Sequence, residues 1–154
     1  MMFKCENNFL HNADNRRISH TLKNNFPWFL SENSSLFYHA LVFQNNATSS
    51  FFNLLEPIQD KIKNDIFEAC FYLICNKPKQ KKIINDDQNI WQENNYIKLI
   101  YHIDSSDGYT ELLYDKKLDH TQNRGIILDN QLKTCEYNPV KSEYSLLLKV
   151  LFKK

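Results

Sequence analysis

Ile100-Tyr101-His102-Ile103-Asp104-Ser105-Ser106-Asp107-Gly108-Tyr109-Thr110-Glu111-Leu112 decides the fold. Apolar, β-branched and aromatic residues flank Asp107-Gly108, a tight-turn dipeptide, so the stretch reads as two antiparallel strands joined by a hairpin. Gly108 is expected in the turn with positive φ. Outward from this hairpin the same texture recurs at 67–75, 96–103, 109–114, 125–129 and 144–152, with turn residues between, including Tyr114-Asp115-Lys116-Lys117. Short strands at this spacing predict two facing antiparallel sheets, a sandwich or barrel. Ahead of them, Ser49-Ser50-Phe51-Phe52-Asn53-Leu54-Leu55 sets apolar residues at helical spacing behind a serine cap, and Pro57 suits the first turn of its continuation. That helix is expected to pack on one sheet.

The chain of 154 residues is the length of one domain, and 14% aromatic residues provide enough apolar surface to offset chain entropy. Nineteen Lys and Arg against eighteen Asp and Glu leave a net charge of +1, which gives no field to attract nucleic acid or an anionic membrane. No apolar stretch with a small-residue cleavage site opens the sequence, and no run of eighteen apolar residues occurs, so neither secretion by a signal peptide nor membrane spanning is expected. Cys5, Cys70, Cys75 and Cys135 are scattered without a Cys-x-x-Cys, and read as reduced, buried thiols. The Lys77–Lys82 run reads as a solvated loop. Abundant Asn, Lys, Ile and Phe look like the product of an AT-rich genome, such as a phage's.

Asn24-Asn25-Phe26-Pro27-Trp28-Phe29-Leu30, then Phe37-Tyr38-His39, then Ser50 to Ile58, resemble the opening of small phage and marine-virus oxygenases of the prolyl-hydroxylase-like, 2-oxoglutarate- and Fe(II)-dependent family. The hairpin quoted above is similar to that family's central hairpin, and Asn123-Arg124-Gly125-Ile126-Ile127-Leu128-Asp129 to the strand that follows it. The resemblance spans about 20–152 and implies a mainly β domain of the double-stranded β-helix (jelly-roll) type with N-terminal helical support. It divides the single domain into a lead-in over 1–20, a strand and helix support over 20–66, and a β core over 67–152.

The family's chemistry needs a His-x-Asp pair and a distal His around iron, with a basic residue for the far carboxylate of 2-oxoglutarate. By position, the resemblance places the pair at Asn85 and Asp87 or at Asp87 and Asn89, and the distal ligand at Lys133. An amide and an ammonium in those places imply that no metal binds and that no cofactor is expected. The basic position falls near Tyr144, with Lys141 and Lys149 as the other candidates for co-substrate binding. His102-Ile103-Asp104 is literally a His-x-Asp, but it lies just before the hairpin turn, and His120 follows sixteen residues after Asp104. That spacing is shorter than the separation of ligand strands in this fold, so His102 reads as a strand residue and Asp104 as the start of the turn. His11, His20 and His39 are assigned no metal role.

No Gly-rich phosphate loop and no Gly-x-Ser-x-Gly occurs. Three readings compete. The main one is a catalytically degenerate, non-enzymatic phage protein with protein partners, either phage structural proteins or itself, located in the host cytoplasm during infection or in the virion. The alternative is an active dioxygenase using Fe(II) and 2-oxoglutarate on unusual ligands, such as His102 and Asp104 or Asp87. The third is a metal-free binder of small molecules in the old pocket.

Overall fold

The computed structural model describes residues 3–32, 35–85, 96–112, 116–129 and 132–154. Twelve strands among them form two antiparallel sheets: β1 (Phe3–Asn7), β2 (Phe29–Leu30), β3 (Leu36–Phe43), β4 (Asn46–Ala47), β5 (Ile66–Cys75), β6 (Lys82–Asn85), β7 (Tyr96–His102), β8 (Tyr109–Leu112), β9 (Lys116–Asp119), β10 (Arg124–Asp129), β11 (Thr134–Tyr137) and β12 (Tyr144–Lys153). The larger sheet runs β1-β10-β7-β12-β5-β3-β2, with β4 also paired to β3, and the smaller runs β6-β11-β8-β9. The jelly roll expected from the sequence is therefore present.

β12 shows how one sequence serves two packing layers. Side chains alternate across a strand, so Leu146, Leu148, Val150 and Phe152 enter the core beneath the helices. Ser145, Leu147, Lys149 and Leu151 face the space between the sheets, where Ile100, Leu112, Ile126 and Leu128 form a second apolar cluster. With both faces covered, positions 145–152 are buried without interruption, so the strand reads as an apolar run rather than an alternation.

The helix read behind Ser49 is present as a 3-10 helix, Ser50–Leu55, capped by the Ser49 hydroxyl, which continues as α2 (Glu56–Lys61) with Pro57 in its first turn. A second helix, α1 (Asn12–Lys23), was not legible. Its buried positions are Asn15, Ile18, Ser19 and Leu22, a proper helical stripe in which two members are polar. The sheet satisfies them: Asn15 donates to the Tyr101 hydroxyl at 2.6 Å and the Ile103 carbonyl at 3.0 Å, and Ser19 donates to Asp104 at 3.0 Å. β6, β9 and β11 were also missed, being four-residue strands of mixed polarity. Lys116 and Lys117, expected in a turn, open β9.

Gly108 corrects another expectation. Neither glycine has positive φ. A Cβ at Gly108 would lie 2.8 Å from each of His120 Nδ1, Ser145 Oγ and the Tyr137 carbonyl, so close approach excludes a side chain there, not backbone handedness. All four cysteines are free thiols as expected, but they are not the buried ones expected: Cys5 is exposed, and Cys70, Cys75 and Cys135 are only partly buried.

Candidate metal centre

At one end of the space between the sheets, three elements bring His102, His120 and Glu136 together. His102 ends β7 in the larger sheet, and Glu136 lies on β11 in the smaller. His120 follows β9 on the loop facing the hairpin turn, held there because its N–H donates to the Gly108 carbonyl and its own carbonyl accepts from Ser106 N–H, both at 3.0 Å. All three side chains are fully buried, and their potential ligand atoms lie within 4.8 Å of one another. The imidazole rings meet edge to face with centroids 4.6 Å apart.

Hydroxyls complete the polar chamber. Thr110 donates to Glu136 Oε2 at 2.7 Å and lies 2.9 Å from His102 Nε2, while His120 Nε2 sits 3.1 Å from the same carboxylate oxygen. His120 Nδ1 meets Ser145 Oγ at 3.0 Å and Ser106 Oγ at 3.2 Å. Glu136 Oε1, by contrast, is buried without any hydrogen-bond partner. An orphaned carboxylate oxygen in an interior of low dielectric is costly unless something cationic answers it. Burial first, then the charges of His120 and Arg124, push the His102 pKa well below its ordinary value. The imidazole is thereby held neutral, the form that ligates metals. Two imidazoles and a carboxylate are the donor set of a non-haem iron triad, so the residues fit such an ion.

This corrects the expectation of no metal and no cofactor. The donors missed were His120 and Glu136. His120 was set aside by counting strands from Asp104, whereas the loop after β9 folds back onto the hairpin and needs no further strand. Glu136 carries no sequence signal beyond a polar residue at an inward position of a short strand. Of the literal His-x-Asp, only His102 joins the cluster; Asp104 turns away to Ser19 and to Lys23 Nζ at 2.7 Å.

The remaining candidates are dispersed. Asn85 ends β6 opposite Cys135, and Lys133 is exposed just before β11. Asp87 and Asn89 lie outside the described residues. Tyr144 packs against the outer core near Lys23, and Lys141 is exposed. Lys149 is buried on the inter-sheet face, opposite Ile100. Lys98, on that same face of β7, is buried too, and its ammonium donates to the Leu132 carbonyl at 3.1 Å and to Thr134 Oγ1 at 3.3 Å.

No family model and no curated protein matches the sequence. Solved structures do match. A prolyl-4-hydroxylase from Pseudomonas putida superimposes with a TM-score of 0.64 at 10% identity, over 99% of this chain and 92% of that one. The fold is that of the 2-oxoglutarate oxygenases. The viral collagen prolyl hydroxylase of Paramecium bursaria Chlorella virus-1 gives 0.63 at 11% identity over 99% and 90%. HygX from Streptomyces hygroscopicus, solved with nickel and 2-oxoglutarate bound, gives 0.68 at 8% identity over 98% and 82%. Among the described residues no helix is long and apolar enough to cross a membrane.

Proposed function

We propose that this protein is an oxygenase dependent on Fe(II) and 2-oxoglutarate, with His102, His120 and Glu136 as the metal ligands. The observation that carries the reading is the orphaned Glu136 Oε1, a buried anionic donor beside two buried imidazoles in an oxygenase fold. A bound Fe(II) would supply the site at which dioxygen acts as oxidant, with 2-oxoglutarate as the co-substrate oxidised to succinate and CO2. The chain's own residues hold and orient. Thr110 fixes one carboxylate oxygen and leaves the other free, Ser145 and Ser106 set the His120 ring through Nδ1, and burial keeps His102 neutral. Lys149, the one of the three co-substrate candidates that faces the inter-sheet space, is the counter-charge for the far carboxylate in this reading.

The complete enclosure of the three ligands favours a second reading, in which the ion is structural and the protein is a binding or virion-associated module that turns nothing over. Both readings are tested in one series. Anaerobic calorimetry with Fe(II) reads stoichiometry, and a succinate assay in air reads turnover. One iron per chain with succinate formation supports the oxygenase, one iron without succinate supports the structural ion, and no binding overturns both.

A further inference from the structure

A second cluster lies on the far side of the larger sheet, at its β3 edge. His39 Nδ1 is 2.6 Å from the Pro27 carbonyl, and its Nε2 is 2.6 Å from Ser49 Oγ. A carbonyl can only accept, so Nδ1 carries the proton and the neutral ring presents the Nε2 lone pair to Ser49. Ser49 Oγ already accepts from the Phe51 N–H at 3.1 Å, which leaves its own proton free to point at His39. The order is that of an activated nucleophile: hydroxyl, imidazole base, and a third group fixing the base's tautomer and orientation.

The ring is held rigidly. His39 is buried, with Phe26 at 4.6 Å and Phe51 at 5.8 Å between centroids. Ser49 is only half-buried and opens into a cleft of about 460 Å³ lined by Pro27, Phe29, Tyr38, Ser50 and Phe51. Among the described residues no charged side chain lines this cleft, and Phe29 and Tyr38 expose their rings on it at 55% and 38%. The lining suits an uncharged apolar or aromatic group rather than an ionic substrate.

We propose that Ser49 and His39 form a second reactive site, a serine–histidine dyad that hydrolyses small apolar esters independently of the metal centre. Ser49 Oγ adds to the acyl carbon while its proton passes to His39 Nε2. The tetrahedral adduct expels the alcohol oxygen, which takes that proton and leaves as the free alcohol. Water, deprotonated by the same nitrogen, then releases the carboxylic acid and restores the Ser49 hydroxyl.

The test uses the full chain in the presence of EDTA, with diisopropyl fluorophosphate as the covalent probe and 4-nitrophenyl butyrate as the substrate. One diisopropylphosphoryl group per chain, mapped to Ser49 after digestion and absent when the protein is first unfolded in urea, is the expected result. Ester hydrolysis should vanish in Ser49→Ala and fall roughly a hundredfold or more in His39→Gln, the effect of losing a positioned general base. Ser49→Thr retains a capping hydroxyl, so its circular dichroism spectrum separates lost reactivity from lost folding. Absence of label, label at another residue, or equal labelling rates in wild type and a folded His39→Gln would overturn the dyad. The wild-type map gives that answer even where the variants fail to fold.

Discussion

Replacing Glu136 by glutamine isolates the charge on which the metal reading depends. Glu136 Oε2 accepts from Thr110 at 2.7 Å and lies 3.1 Å from His120 Nε2, and the amide oxygen of a glutamine side chain can keep both contacts. The amide nitrogen then takes the place of Oε1, which had no partner. Two charge-assisted bonds become neutral, a loss of about 1 kcal/mol each. Relief of a buried charge offsets part of it. The variant itself should therefore lie within about 2 kcal/mol of wild type. Towards Fe(II), the loss is of the single anionic ligand, and affinity should drop by at least about a hundredfold, the upper end of what removing a mere supporting partner costs. Thermal melting under anaerobic conditions reads both effects. At free Fe(II) about a hundred times the wild-type Kd, wild type gains about 2.7 kcal/mol and the variant about 0.4 kcal/mol. For a domain of this size the wild-type gain is roughly 5–10 °C in Tm. A wild type that does not respond to Fe(II), or a Glu136→Gln variant that responds equally, would refute the assignment.

Gly108→Ala places a Cβ 2.8 Å from His120 Nδ1 and Ser145 Oγ, so it should cost about 1–3 kcal/mol in urea denaturation and weaken Fe(II) binding in calorimetry as well. Burial opposes ionisation of Asp107, but N–H groups of Ser142, Lys141 and Val140 donate to its carboxylate and hold its pKa well below the usual aspartate value. A depressed folded pKa adds stability that is present above the unfolded value of about 3.9 and is lost as pH falls through the folded one. Asp107→Asn should thus lower the urea midpoint at neutral pH, with the gap to wild type closing on acidification; a constant gap would contradict the cause given. Asn15→Ala removes the donor to the buried Ile103 carbonyl and leaves the Tyr101 hydroxyl only the bond it gives Asn123, and should cost about 1–3 kcal/mol in the same assay.

Period and turn chemistry are local properties, and they sufficed for the long strands in the second half of the chain, though not for the four-residue strands β6, β9 and β11. Apolar, β-branched runs separated by Asp107-Gly108 and similar signals gave the long strands β5, β7, β10 and β12 and hence the jelly roll. The Ser49 cap and Pro57 likewise marked the 3-10 helix and α2, because capping is settled within one turn of chain. Where a buried stripe included polar residues the signal failed. α1 presents Asn15 and Ser19 to the sheet, and only the distant Tyr101, Ile103 and Asp104 make those positions inward-facing.

The metal centre could not be read from spacing at all. His102 was visible within His-x-Asp, but its partners were chosen by the facing of two sheets and by the loop that brings His120 back to Gly108. Asp104 is adjacent to His102 by motif and separated from the cluster by its ion pair with Lys23. Gly108 shows the same division of labour: the dipeptide announced a turn, yet the requirement for glycine comes from His120, Ser145 and Tyr137 converging on its Cα. Strand identity follows from side-chain shape and turn preference acting over a few bonds. Which donors share one chamber follows from sheet pairing and inter-sheet packing, contacts between segments as far apart as His102 and Glu136.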